Sequence, residues 1–178
     1  MENRIETERL ILRNYKISDL DDYYQYVSNP KVGPMAGWNP YTSIDKAKER
    51  LEIEMSKPLQ FAIELKENHK VIGSIEIMDT KKERMGIEID PNSKEIGAIL
   101  SEEYWGKGIM PEALKAIMEY CFNVLNVDVV YAGHVEANKQ SARLQEKCGL
   151  EVIGRRQNYR TWIDGEQTDL IIRCKKRG

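Results

Sequence analysis

Residues 95–113, EIGAILSEEYWGKGIMPEA, decide the fold of this chain. Apolar residues at alternate positions predict a strand over Glu95–Leu100. Gly106 and Gly108 then predict a loop, and an apolar stripe at helical spacing predicts a helix reaching about Leu125. Such a loop directs backbone N–H groups at one point beside a helix N-terminus, which suits a phosphate or pyrophosphate. The alternative is a tight strand-to-helix turn that binds nothing.

The segment that follows predicts a parallel partner for this strand. Val127–Val135 is almost continuously apolar, which is typical of a strand buried on both faces. The helix between the two strands makes a β-α-β crossover. A shorter helix is predicted over Asn138–Lys147, and Gly149 ends it.

The other elements follow from the same rules of period and punctuation. We expect strands, helices and turns in chain order as follows: strand Arg9–Tyr15, a helix ending near Val27, a long loop over 30–44, helix Asp45–Ser56, hairpin strands Gln60–Leu65 and Val71–Met78, a solvated charged tip Lys81–Arg84, a short strand Gly86–Ile89, and late strands Leu150–Arg156 and Thr168–Arg173 joined by an Asp164-Gly165 turn.

Composition narrows the class of protein. The chain has 178 residues, of which 41% are hydrophobic and 31% charged, and these values predict a single globular domain over 1–178. A net charge of −2 gives no basic face for nucleic acid. The three cysteines form no metal-ligand spacing, so we expect no metal site. We find no apolar leader or membrane-length segment, and we expect a cytoplasmic protein that binds no membrane.

These segments together resemble the GNAT superfamily of N-acetyltransferases, in the branch of the RimJ/RimL ribosomal-protein N-terminal acetyltransferases. Residues 95–113 carry the first match, and Asn138-x-x-Ser141 with Glu146-Lys147-Cys148-Gly149-Leu150 carries the second. TERLILR with Trp38-x-Pro40, and FAIELKENHKVIGSI at 61–75, complete the ordered set. The resemblance implies an α/β fold: a mixed, mostly antiparallel sheet with a central splayed parallel strand pair, flanked by helices on both faces.

The resemblance implies an acetyl-CoA-dependent N-acetyltransferase. The acetyl group would pass to a primary amine by direct attack in a ternary complex. The acceptor would be a protein N-terminal α-amine, such as that of a ribosomal protein, or a small-molecule amine. Some members of the superfamily pair through late strands, so a homodimer is also expected.

The resemblance also implies which residues bind acetyl-CoA. The glycine loop would cradle the pyrophosphate, the end of the strand would bond the pantetheine arm, and the late helix would contribute its first turn. These residues are Ile99, Leu100, Trp105, Gly106, Lys107, Gly108, Ile109, Met110, Asn138 and Ser141. Glu103 departs from the family pattern, which has Gln or Arg there, and we expect it to face solvent or pair with a cation such as Lys107.

Two residues are the candidates for catalysis. Many members of the superfamily place a tyrosine at the position of Gln145, and in this branch Ser141 instead would hydrogen-bond the departing sulfur. Glu95 is the candidate base or amine-binding carboxylate, with Glu76 and Glu88 as alternatives. His134 is either a structural residue or a proton relay.

Other side chains and other functions remain open at this stage. Aromatic residues of the long loop and the last hairpin would wall the acceptor pocket or belong to local cores; they are Trp38, Tyr41, Tyr159 and Trp162. A non-catalytic sensor of acyl-CoA with the same fold is the alternative function. A generic nucleotide-phosphate site is a third, although GxxxxGK[ST] and GxGxxG are both absent.

Overall fold

A computed structural model describes residues 3–163 and 165–178. Its strands are β1 Arg4–Glu6, β2 Leu10–Arg13, β3 Gln60–Leu65, β4 Val71–Asp79, β5 Ser93–Leu100, β6 Val129–Val135, β7 Glu151–Arg160 and β8 Gln167–Lys176. Its α-helices are α1 Leu20–Val27, α2 Ile44–Ser56, α3 Lys82–Met85, α4 Ile109–Asn123 and α5 Lys139–Lys147.

The strands form one eight-stranded sheet in the order β1-β2-β3-β4-β5-β6-β8-β7. Neighbouring strands run antiparallel except β5 and β6, which are parallel and joined through α4. The predicted fold class, a mostly antiparallel sheet with one central parallel pair, is therefore confirmed.

Helices cover both faces of the sheet because its strands alternate in side-chain direction. Phe61 and Ile63 of β3 pack in one core with Leu114 and Ile117 of α4. Ala62, on the opposite face of β3, packs in a second core with residues of α1 and α2 such as Tyr26 and Leu51. The Ser43 hydroxyl caps α2 by accepting a hydrogen bond from the Lys46 N–H at 3.3 Å.

Two predictions between β4 and β5 are wrong. Residues 86–89 form no strand, because β4 and β5 pair directly with each other and leave no edge between them. Residues Lys82–Met85 form one helical turn instead of a wholly solvated tip, and Met85 is fully buried. Strand β1 was not predicted, and Asp164 of the predicted hairpin turn lies outside the described residues.

No helix in the described ranges combines the length and the apolar character that a bilayer crossing needs.

Candidate active site

The parallel pair opens into a gap halfway along its length. β5 and β6 are in register only from Ser93 opposite Val129 to Glu95 opposite Tyr131. Beyond that point β5 stays paired with β4 as far as Leu100, and β6 stays paired with β8 as far as Val135. The two facing edges therefore separate, and their backbone groups are free to bond a ligand that enters between them.

Side-chain exposure marks the same gap. Ala98 is exposed although it lies on a central strand of the sheet, and Gly97 and Ile99 are half-buried. Their neighbours Ile96 and Leu100 are buried at 5% and 9% exposure. Open space beside the middle of β5 follows from the departure of β6.

The loop between β5 and α4 closes one end of the gap. A 3₁₀ turn over Glu102–Tyr104 leads into it, and the Trp105 indole N–H donates to the Leu100 carbonyl at 2.9 Å. Gly106 and Gly108 have φ of +73° and +72°, a left-handed conformation that favours glycine. A Cβ on Gly106 would meet no atom within 4 Å, so backbone conformation rather than crowding requires glycine there.

The backbone of this loop is a preformed anion site. The N–H groups from Gly106 to Met110 reach no acceptor in the described part of the chain. The N–H of Trp105, which the sequence included in the cradle, already donates to the Glu102 carbonyl at 3.1 Å. Successive free N–H groups at the start of α4, together with the helix dipole, attract negative charge.

Arg9 binds this loop from the start of β2, and sequence reasoning missed it. Its guanidinium donates to the Lys107 carbonyl at 3.0 Å and to Glu112 Oε2 at 2.7 Å. Partial burial raises the pKa of the Glu112 carboxyl, but hydrogen bonds from Thr7 and Arg9 outweigh it and hold that pKa below its ordinary value. The bonds fix the loop to the first turn of α4 and bring a positive charge beside Gly108, where an added Cβ would lie 3.5 Å from an Arg9 nitrogen.

The two other charges of the loop point elsewhere. The Glu103 side chain is 61% exposed and lies 3.9 Å from the Lys70 ammonium, so its cationic neighbour is Lys70 rather than Lys107. The Lys107 ammonium lies 5.2 Å from the centre of the Tyr104 ring, a cation–π distance.

The first turn of α5 carries the two polar residues that the sequence singled out. Asn138 caps the helix by accepting a hydrogen bond from the Ser141 N–H at 2.9 Å. The Ser141 hydroxyl oxygen accepts from Gln145 Nε2 at 2.9 Å. The same Nε2 lies 3.4 Å from the carbonyl of Gly133, in the separated half of β6. These contacts attach Ser141 to the β6 side of the gap.

The long loop over residues 30–43 connects two sides of the site. Asn138 Nδ2 donates to the Met35 carbonyl at 3.0 Å, and the Trp162 N–H donates to the Gly37 carbonyl at 2.7 Å. Trp38 packs on the α1–α2 core and lies 5.7 Å from Tyr41 between ring centres. The loop thus runs from the start of α5 to the β7–β8 hairpin.

Glu95 lies where the parallel pairing ends, and it is buried in an ion pair. It is 2% exposed, and Arg84 Nε donates to its Oε1 at 2.6 Å. Arg84 also bonds the Tyr159 hydroxyl and stacks on its ring at 5.5 Å. Burial raises the pKa of the Glu95 carboxyl, and the Arg84 charge offsets only part of that rise.

The alternative acids and the histidine have partners of their own. Glu76 pairs with Lys57 at 2.9 Å, and Glu88 is 86% exposed beside Lys82. His134 is 7% exposed, its Nδ1 lies 3.0 Å from the Val135 carbonyl, and burial lowers its pKa. The structure therefore brings together the open strand pair, the glycine loop, Asn138 and Ser141, with Glu95 at the closed end.

Comparison with known proteins agrees with this geometry. The acetyltransferase (GNAT) domain family matches residues 9–151. An uncharacterized N-acetyltransferase p20 of Bacillus licheniformis is 29% identical over 160 residues, which is 86% of this chain and 85% of the relative.

Two further matches carry the name of an acceptor. A spermidine N(1)-acetyltransferase of Escherichia coli is 32% identical over 80 residues, 45% of this chain and 42% of that protein. The solved structure of a ribosomal-protein-S5-alanine acetyltransferase from Vibrio fischeri superposes with a TM-score of 0.73 at 26% identity, over 98% of this chain and 96% of that one.

Proposed function

This chain belongs to the GNAT acetyltransferase family, and on that premise we propose that it transfers the acetyl group of acetyl-CoA to a primary amine by direct attack in a ternary complex. The observation that carries the proposal is the gap that opens after Glu95 and Tyr131, with an unsatisfied N–H loop at its mouth.

Acetyl-CoA binding is assigned to the loop and to the open edge of β5. The pyrophosphate accepts from the N–H groups between Gly106 and Met110, and Arg9 adds positive charge. The amides of the pantetheine arm bond the free backbone near Ile99 and Leu100, as a strand would. Asn138 holds the start of α5 against the loop at Met35 and so fixes the other side of the cleft.

Ser141 is proposed to hydrogen-bond the departing sulfur. Its oxygen accepts from Gln145, so its own proton is free to point in another direction, toward a thiolate in the gap. Stabilising the leaving thiolate lowers the barrier for collapse of the tetrahedral intermediate.

The acceptor amine must be neutral before it attacks. An unperturbed α-amine has a pKa of about 7.7–8.0 and is partly neutral near pH 7, so water suffices to take its proton. Glu95 remains the candidate base, and an amine reaches it only when the Arg84 pair opens. With Arg84 in place, Glu95 instead fixes Arg84 and Tyr159 at the closed end of the gap.

The cysteines support direct attack rather than an acetyl-cysteine intermediate. Burial raises the pKa of the Cys121 thiol to about 12 and also raises the pKa of Cys148. A protonated buried thiol is a poor nucleophile.

The acceptor is a peptide N-terminal α-amine or a small amine, and one experiment decides between them. Thiol release from acetyl-CoA is followed with N-terminal peptides of ribosomal proteins, polyamines, aminoglycosides and free amino acids. Amine-dependent release on one class, lost in Gly108→Trp, supports the proposal and names the acceptor. Tight acetyl-CoA binding with no release on any class would contradict it in favour of a sensor.

A further inference from the structure

A second polar groove lies outside the acetyl-transfer site. It has a volume of about 460 Å³ and lies beside α5, over β6, β7 and β8. Small-molecule sites have volumes of about 300–1,000 Å³, so the groove has room for a small metabolite. Its polar lining includes His134, Lys139, Arg155 and Arg173.

His134 presents an unused acceptor to this groove. Its Nδ1 lies 3.0 Å from the Val135 carbonyl, and because a carbonyl only accepts, that nitrogen carries the proton. Nε2 of the neutral ring is then an acceptor, and it is buried without a donor in the described ranges. A buried polar atom without a partner is costly, so a ligand that donates a hydrogen bond there gains affinity.

Arg173 and Lys139 give the groove an excess of positive charge. Arg173 donates to the Leu150 carbonyl at 3.1 Å, but its Nε–H is buried and meets no acceptor in the described part of the chain. Lys139 is exposed at the rim and forms no ion pair with a described residue. Arg155 is already balanced, with Glu136 and Asp169 both at 2.8 Å.

We propose that this groove binds a small phosphomonoester or hydrogenphosphate, an oxyanion that keeps one acidic O–H. The O–H donates to His134 Nε2, while the anionic oxygens accept from Arg173 Nε–H and from Lys139. A carboxylate or a sulfate satisfies only the second requirement, because neither carries a proton at neutral pH. The second phosphate pKa of about 6 leaves a protonated fraction near neutrality, so phosphate meets both requirements.

The chain provides its own reporter, since it contains two histidines. His134 lines the groove, and His69 is 75% exposed in the β3–β4 turn beside Glu64. Imidazole NMR signals of both are followed while inorganic phosphate, and separately a sugar phosphate, is added at constant pH and ionic strength. The protein is first saturated with acetyl-CoA, so that its own phosphates cannot account for the response.

We expect a saturable shift of the His134 signal and none of the His69 signal. Sulfate should bind about tenfold more weakly, a difference of about 1.4 kcal/mol. Tighter binding of the sugar phosphate than of phosphate identifies an ester as the natural occupant, and the reverse order identifies the free ion. An unmoved His134 signal, equal binding of sulfate, or loss of the response on saturation with acetyl-CoA would each overturn the proposal.

Variants separate binding from folding. Arg173→Gln and Lys139→Gln should each weaken phosphate binding about 3- to 10-fold. Lys139 is exposed, so its substitution tests the proposal even if the Arg173 variant fails to fold. Lys147→Gln, at the end of the same helix and outside the groove lining, is the matched control and should bind phosphate normally.

Discussion

Gln145 Nε2 donates a hydrogen bond to Ser141 Oγ at 2.9 Å. The amide is held in this orientation because Nε2 also faces the Gly133 carbonyl at 3.4 Å, and a carbonyl cannot donate. Gln145 is 5% exposed, so water does not compete for the contact. The residue that stands in place of the usual tyrosine therefore orients the Ser141 hydroxyl, and the serine proton is left for the leaving sulfur.

Gln145→Leu tests this orienting role. The variant keeps the size of the side chain but removes the donor, so kcat should fall about tenfold with little change in acetyl-CoA affinity. Steady-state kinetics and a binding titration measure the two quantities. The loss should vanish when Ser141 is already alanine, because the two residues act as one unit. Gln140→Leu, on the exposed surface of the same helix, is the control; additive losses in the double variant would refute the pairing.

Gly106→Ala tests the glycine loop against a matched position. Gly106 and Gly165 both have a left-handed φ, of +73° and +72°, and a Cβ meets no atom within 4 Å at either site. Both alanine variants should lose about 1–2 kcal/mol of unfolding free energy, because each places a Cβ in the left-handed region. Urea denaturation measures that loss. Only Gly106→Ala should also weaken acetyl-CoA binding, and equal affinities of the two variants would argue against the loop as the pyrophosphate site.

Arg9→Gln tests the missed loop contact. Removing the guanidinium frees the Lys107 carbonyl and takes a charge from beside Gly108. The Kd for acetyl-CoA should rise about tenfold, and its dependence on salt should become weaker. Arg4→Gln is the control, since Arg4 is exposed and paired with Glu6. A normal Kd for Arg9→Gln would limit Arg9 to a structural role.

Arg84→Met tests the buried pair through its pH dependence. The pKa of Glu95 is raised above its ordinary value of 4.5, so the folded state holds this proton more tightly than the unfolded state. Stability from this group is present at low pH and is lost as pH rises from about 4.5 through the raised pKa.

Without Arg84, whose charge and hydrogen bond lower the pKa of Glu95, that pKa should rise further. The variant should therefore lose about 3 kcal/mol of unfolding free energy at neutral pH and much less near pH 4. Urea denaturation at several pH values measures the deficit. A deficit that does not change with pH would show that Arg84 acts through packing alone.

The order of the main strands and helices could be predicted from the sequence because it is written in local patterns. The β3 bounds agree with the prediction at both ends, and Ser43 caps α2 as its position indicates. The positions of the glycine loop and of Asn138 follow from motifs that span a few residues. Such signals depend on neighbours along the chain, where period and turn chemistry act.

The side-chain partners could not be predicted, because they join distant segments. Arg9 meets Lys107 across 98 positions, and no periodicity connects them. Lys81–Arg84 has the composition of a solvated tip, yet Arg84 turns inward to Glu95, which only the folded sheet places beside it. The Gln145–Ser141 contact lies within one helix, but its meaning depends on Gly133 of β6.

Ser141→Ala is the most direct test of acetyl transfer in the gap between β5 and β6. The kcat for amine-dependent thiol release and the Kd for acetyl-CoA are measured on wild type and variant in parallel. We predict a kcat about 100-fold lower with an unchanged Kd, because the hydroxyl acts on the leaving sulfur rather than on the bound cofactor. Unchanged turnover would contradict the assignment of Ser141.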